Sequence, residues 1–220
     1  MKSSNIAVIA LLVSFSSAQL ALARQAAPQQ TTPMPGMAHG SAGMHEMNGS
    51  DKDSMHMSSS PNAARAPVDL QFIDTMTMHH KMAMDMASLA GTRAAHGELK
   101  TMATKMIEDQ QKETAQLKGW KEQWYAGKPE AMNMKMPGMP ESMKGMSMEK
   151  LAAAKGEEFD RVFIDMMSQH HAGAIKMSES AEPKLQHPEI KAFAKKLAAS
   201  QKEELAQMKD WKKSWGNAKH

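Results

Sequence analysis

Residues 72–125 and 163–216 align at a fixed offset of 91 without a gap, with 22 identities in 54 positions. A repeat of that kind obliges the chain to build its interior from two copies of one supersecondary unit. The shared positions include Phe72/Phe163, Ile73/Ile164, Asp74/Asp165, Met76/Met167, His79/His170, His80/His171 and Met86/Met177. Further along come His96/His187, Gln110/Gln201, Glu113/Glu204, Trp120/Trp211 and Trp124/Trp215.

The spacing within each copy is helical. Phe72, Ile73, Met76, His80, Ala83, Ala87 and Ala90 follow one face of a helix, and Leu99, Met106, Gln110, Glu113, Leu117, Trp120 and Trp124 step mostly by three and four along a second. Gly91 and Gly97 bracket the turn between them, as Pro183 and Pro188 bracket the equivalent turn, and Pro188 suits a helix start. The expected fold is all-α: two helical hairpins, residues 68–126 and 150–216, forming one four-helix bundle with helices of about 20 to 28 residues. The stretch joining the hairpins is long enough for either a simple up-down bundle or a crossover.

Composition limits what can fill that bundle. Beyond residue 23 the chain has 19 Leu, Ile, Val and Phe against 24 Met, so the core must draw on Met, Ala and Trp. Residues 24–67 contain no Leu, Ile, Val or Phe and are rich in Gly, Pro, Ser, Met and His. Such a segment cannot offset its chain entropy and is expected to be disordered. Residues 127–149 have a similar character and are expected to be a Met-rich linker. Thirteen of the 24 Met residues fall in these two stretches, where no core is expected for them to fill.

At the N-terminus, Lys2, the apolar run Ile6 to Phe15 and the small-x-small sequence Ala21-Leu22-Ala23 form a signal-peptide pattern over residues 1–23. The apolar run falls short of the roughly 20 residues of a membrane span. No later segment is apolar enough to cross a bilayer, so a periplasmic or secreted chain is expected. The absence of cysteine excludes disulfides, zinc ribbons and thiol nucleophiles, and 27 Lys plus Arg against 24 Asp plus Glu shows no nucleic-acid footprint.

Two histidines in tandem behind a methionine, Met76-x-x-His79-His80, recur as Met167-x-x-His170-His171. Residues three and four apart share a helix face, so the three side chains can converge. His80 sits about 30° from the centre of the apolar stripe and His79 about 70° away, which points one ring inward and one along the edge. His79, Met82 and Met86 add a row of one nitrogen and two sulfurs; in the second copy Gly173 replaces Met82 while Met177 remains. Imidazole and thioether select soft or borderline ions, Cu(I) or Ag(I) above all, with Cu(II) as a further candidate. Met34, Met37, His39, Met44, His45, Met47, Met55, His56 and Met57 place further ligands every few residues along the N-terminal segment. Gln110/Gln201 and Glu113/Glu204 lie on the packing seam and are candidates to hydrogen-bond the inward histidines.

Other readings attach to the same residues. Met in the helices can be gap-filling in a core short of Leu, and Met in the tails can be an oxidant sink. Polar residues on a bundle seam can belong to a dinuclear iron or manganese oxidase, but that site needs Glu-x-x-His on two helices. Asp74 precedes His79 by five residues, about 140° round the helix, so the motif is missing.

The runs Phe159-Asp160-x-x-Phe163-Ile164-Asp165-Met166-Met167-x-x-His170-His171-x-x-Ala174-Ile175-x-Met177 and Ser200-Gln201-x-x-Glu204-x-x-x-Met208-x-x-Trp211 resemble the domain-of-unknown-function family numbered 305. Its better-understood members are CopM-like periplasmic copper-binding proteins. The resemblance spans about residues 68–216. It implies a ferritin-like four-helix bundle, copper or silver binding through Met and His, and a role in metal tolerance rather than catalysis. Met167, His170, His171 and Met177 match most directly, followed by Met76, His79, His80 and Met86. The partners expected are metal ions, together with a copper exporter or another periplasmic copper protein.

Overall fold

The computed structural model describes residues 57–216. Its helices are α1 (Val68–Ser88), α2 (Ala90–Arg93), α3 (Gly97–Tyr125), α4 (Met139–Met143), α5 (Met148–Ala153), α6 (Gly156–Ala181) and α7 (Pro188–Gly216). The four long ones, α1, α3, α6 and α7, have 21, 29, 26 and 29 residues and form the expected two hairpins. Acidic residues Asp69, Glu98, Glu157, Glu158 and Glu189 stand in their first turns, where they complement the positive end of the helix dipole. Proline begins α7, where its missing N–H costs no hydrogen bond.

Each hairpin clamps the turn of the other. Asp160 at the start of α6 accepts the backbone N–H groups of Ala95 and His96, both at 3.0 Å, and the His96 Nδ1–H at 2.6 Å. Its counterpart at the same offset, Asp69 at the start of α1, accepts the N–H groups of Gln186 at 2.7 Å and His187 at 3.0 Å, and the His187 Nδ1–H at 2.6 Å. Both carboxylates are buried. The imidazoles then stack on indoles, His96 on Trp215 at 3.8 Å and His187 on Trp124 at 3.9 Å between ring centroids.

These contacts decide the topology. Asp69, Trp124 and His187 put the start of α1, the end of α3 and the start of α7 at one end of the bundle. His96, Asp160 and Trp215 put the start of α3, the start of α6 and the end of α7 at the other. Residues 126–155 must therefore run the length of the bundle. The order is that of a single-crossover, ferritin-like bundle, with α1 and α6 antiparallel.

The crossover is ordered, and this corrects the expectation that its methionines have nothing to pack against. Met132, Met136, Met139 and Met146 are buried, and Met134, Met143 and Met148 are half-buried against the core. Its entry is tied to α1. Asp74 accepts the N–H of Ala131 at 2.7 Å, Thr75 Oγ1 accepts that of Asn133 at 2.9 Å, and Asn133 Nδ2–H donates to Gln71 Oε1 at 2.8 Å. The repeat mates of Gln71 and Thr75 are the apolar Val162 and Met166.

Gly173 is explained by the same path. Gly138 has φ +96°, a conformation that favours glycine, and it packs on α6. A Cβ on Gly173 would lie 1.7 Å from Ser142 Oγ and 2.5 Å from the Gly138 carbonyl oxygen. The equivalent position on α1 carries Met82, which is buried. The Met82/Gly173 difference between the repeats therefore marks the place where the crossover lies against α6.

Gly173→Ala is expected to destabilise the fold by about 1–3 kcal/mol in urea unfolding, because neither contact is the far end of a flexible chain. Asp69→Ala and Asp160→Ala each leave two half-buried N–H groups and an imidazole without their acceptor, at a cost of about 1–3 kcal/mol. Because the two clamps sit at opposite ends, the double substitution should be additive to within about 0.5 kcal/mol. A large coupling between them would contradict their independence.

Candidate metal centre

The antiparallel packing of α1 on α6 brings the two tandem histidine pairs together. His79, His80, His170 and His171 are all fully buried. The His79 and His170 rings lie with centroids 3.5 Å apart, and His170 and His171 lie 6.3 Å apart. Met76, Met86, Met167 and Met177 are also fully buried in this core, and Met82 is nearly so. The nine candidate residues of the helices thus share one interior.

The division into an inward and an edge histidine is corrected by the crossover. An exposed edge would leave His79 in water, but Ser142 covers it, with its Oγ 2.9 Å from His79 Nε2. The Ser142 hydroxyl donates to the Gly138 carbonyl at 2.9 Å, one helical turn back. With that proton committed, His79 Nε2–H is the donor to Ser142 Oγ, which assigns the tautomer.

The inner histidines face the other hairpin helices. His171 Nε2–H donates to Glu204 Oε2 at 2.7 Å. His80 Nε2 lies 2.9 Å from Glu113 Oε2, in an orientation too bent for a hydrogen bond. The expected role of Glu113 and Glu204 beside the histidines is thus met in position. Gln110 and Gln201 differ: both are buried, and their Oε1 atoms have no hydrogen-bond partner.

The decisive feature is the set of nitrogens left over. His79 Nδ1, His171 Nδ1 and both ring nitrogens of His80 and of His170 are buried without a hydrogen-bond partner. Buried polar atoms are nearly always satisfied, so six orphans in adjacent imidazoles mark a site shaped for something else. Burial, and then the neighbouring histidines, hold His79 and His170 well below the ordinary histidine pKa of 6.5. Both are therefore neutral at pH 7, the form in which an imidazole lone pair can bind a metal.

Among the described residues, no group of three or more His, Asp or Glu is arranged to hold a metal ion. The side chains packed in the same interior that could add donors are thioethers. Met57 is half-buried against the core, on the segment whose Ser59 and Ser60 bond Met134 and Met132 of the crossover. Met34, Met37, His39, Met44, His45, Met47, Met55 and His56 lie outside the described residues. Sequence reasoning missed Ser142, Asp69 and Asp160. Extending the repeat three residues upstream would have found the two aspartates as an identical pair; Ser142 carries no local signal.

The neutral histidines make a pH prediction. A histidine whose pKa is lowered by folding contributes full stability above its unfolded value and loses it as pH falls through that value. Stability should therefore fall as pH is lowered from about 7.5 to about 5.5, with His79 and His170 both contributing to the fall. Urea unfolding of His79→Gln with His170→Gln, compared with the unsubstituted chain at both pH values, should show that slope reduced.

The comparisons with known proteins agree with this architecture. The DUF305 family model, described as a domain of unknown function, matches residues 69–212. CopM in its Cu(I)-bound form is 35% identical, with a TM-score of 0.57 and coverage of 67% of this chain and 96% of that one. The Cu(II)-bound form of CopM is 36% identical, with a TM-score of 0.58 and coverage of 67% and 97%. A DUF305 protein from Streptomyces coelicolor is 23% identical, with a TM-score of 0.60 and coverage of 73% and 99%, and shows the same fold. No curated protein sequence matches the chain. With a family match over most of its length and the CopM likeness across the helical region, the chain belongs to the DUF305 family.

Proposed function

We propose that this protein binds copper, Cu(I) in preference to Cu(II), and acts without catalysis in sequestering or delivering the metal outside the cytoplasm. The observation that carries the reading is the cluster of buried, unpartnered imidazole nitrogens in a thioether-lined interior. Neutral imidazole and thioether are ligands for a soft monovalent ion, and silver shares that chemistry. The likeness to CopM, solved in Cu(I)-, Cu(II)- and silver-bound forms, supports it.

In this reading His79, His80, His170 and His171 supply nitrogen, and Met76, Met82, Met86, Met167 and Met177 supply sulfur. Glu204 orients His171 and Ser142 orients His79, so that Nδ1 is the free donor of each, and Glu113 stands beside His80. Met34, Met37, His39, Met44, His45, Met47, Met55, His56 and Met57 add capture sites ahead of the bundle. Export by residues 1–23 and transfer to a copper exporter or another periplasmic copper protein complete the proposal. A dinuclear iron or manganese oxidase is less favoured, because Glu113 and Glu204 each face a histidine singly.

Titration of the purified chain with Cu(I) against a chromogenic chelator is expected to show competition at micromolar affinity or tighter. Replacing His79 and His170 by Ala should weaken the bundle sites by about 10- to 100-fold. Removing residues 24–56 should lower the stoichiometry and spare those sites. A chain that never competes for Cu(I) would falsify the reading.

A further inference from the structure

The buried histidines are enclosed on most sides. The crossover lies along α6 with Ser142 and Met139 fully buried, and the two ends carry the His96–Trp215 and His187–Trp124 stacks. A hollow of about 260 Å³ beside the crossover reaches Ser142 and Gln169, lined by Lys144, Lys150 and Arg161 with Glu158 and Asp165. Its carboxylates are not those paired with the buried histidines, which are Glu113 and Glu204.

The face between α3 and α7 is different. A groove of about 360 Å³ is lined by Met106, Gln110 and Glu113 from α3 and by their repeat mates Leu197, Gln201 and Glu204 from α7. Glu113 and Glu204 are about one-fifth exposed, whereas the histidines they touch are fully buried. Each glutamate thus links groove and interior. Lys105, Lys112 and Lys196 line the groove too; all three are exposed, and Lys105 and Lys112 are paired with Asp109. The lysines are thus more exposed than the two glutamates.

A second observation is independent of the carboxylates. Gln110 and Gln201 are 3% and 2% exposed and line the same groove, and the carbonyl oxygen of each has no hydrogen-bond partner. An unpartnered buried acceptor is a place for a cation or its water to rest.

We propose that the α3/α7 groove is the entrance by which metal ions reach the buried histidines, with Glu113 and Glu204 as the two landing carboxylates and the Gln110 and Gln201 carbonyls beside them. This rests on the metal-binding reading above and adds its route. A monovalent ion leaving water meets anionic and carbonyl oxygen at the groove floor, so its hydration shell is replaced in steps rather than lost at once. From either glutamate the next donor is an imidazole in contact with it. Entry is duplicated because the repeat duplicates the port.

The test is quenched-flow loading of the full chain with Ag(I). After a set time, excess chelator strips accessible ions, and the silver retained is counted by elemental analysis; the retained fraction should vanish in His80→Ala with His171→Ala. Glu113→Gln with Glu204→Gln is expected to slow both loading and release about ten-fold, as removal of a port must, whereas loss of the contacts to His80 and His171 alone would weaken equilibrium affinity by speeding release. Glu113→Asp with Glu204→Asp, which keeps the charge, should load within about three-fold of the original rate. If the glutamine pair fails to fold by circular dichroism, the two single Glu→Gln variants carry the comparison, each expected to slow loading about two-fold. Unchanged loading in the glutamine variants overturns the proposal, as does faster loading in Gln169→Ala, which loosens the crossover. If the unsubstituted chain binds no silver at equilibrium, the metal-binding reading falls, and the port with it.

Discussion

The fold depends on two buried aspartates that cross from one hairpin to the other. Asp69 and Asp160 each accept two backbone N–H groups and an imidazole N–H at the start of the opposite hairpin's second long helix. A carboxylate taken out of water needs that many donors to be tolerated, and donors at a helix start add the favourable end of the dipole. The contacts set the register of α1 against α6. A shift of one turn would unclamp both ends and separate His79 from His170, so the geometry of the centre is inherited from these clamps.

Given that register, the crossover decides the environment of the histidines. It closes the α1/α6 face with methionine rather than with a bulky aliphatic layer, and it brings one hydroxyl, from Ser142, to His79. On the opposite face the glutamates stand beside His80 and His171. The two-fold relation between the halves is therefore exact in sequence offset but broken in chemistry. One outer histidine has a hydroxyl partner and the other has none. Methionine fills such an irregular interior because its unbranched side chain adapts its shape.

Much of this was legible in the residues. The offset of 91 and the helical spacing of Phe72, Met76 and His80 led to two hairpins, and the tandem histidines marked the centre. The places where the repeat fails were also informative, although their meaning was hidden. Gln71 against Val162, Thr75 against Met166, and Met82 against Gly173 record where residues 126–155 lie. Without the path of the crossover these differences have no common cause. The crossover methionines appeared idle because a run dense in Gly, Pro and Met has no periodicity, and burial by long-range contact leaves no local pattern.

By itself the sequence determined the element types, the pairing of helices into hairpins and the residue classes offered to a ligand, because helical periodicity and side-chain chemistry are local properties. Tertiary structure alone decided the crossover topology, the burial of both histidines of each pair and the meeting of His79 with His170. These depend on contacts between residues about 60 to 120 positions apart, such as Ser142 with His79 and His187 with Asp69. No local spacing encodes them. They follow from the one arrangement in which both buried aspartates find their donors and the crossover finds a glycine to pass.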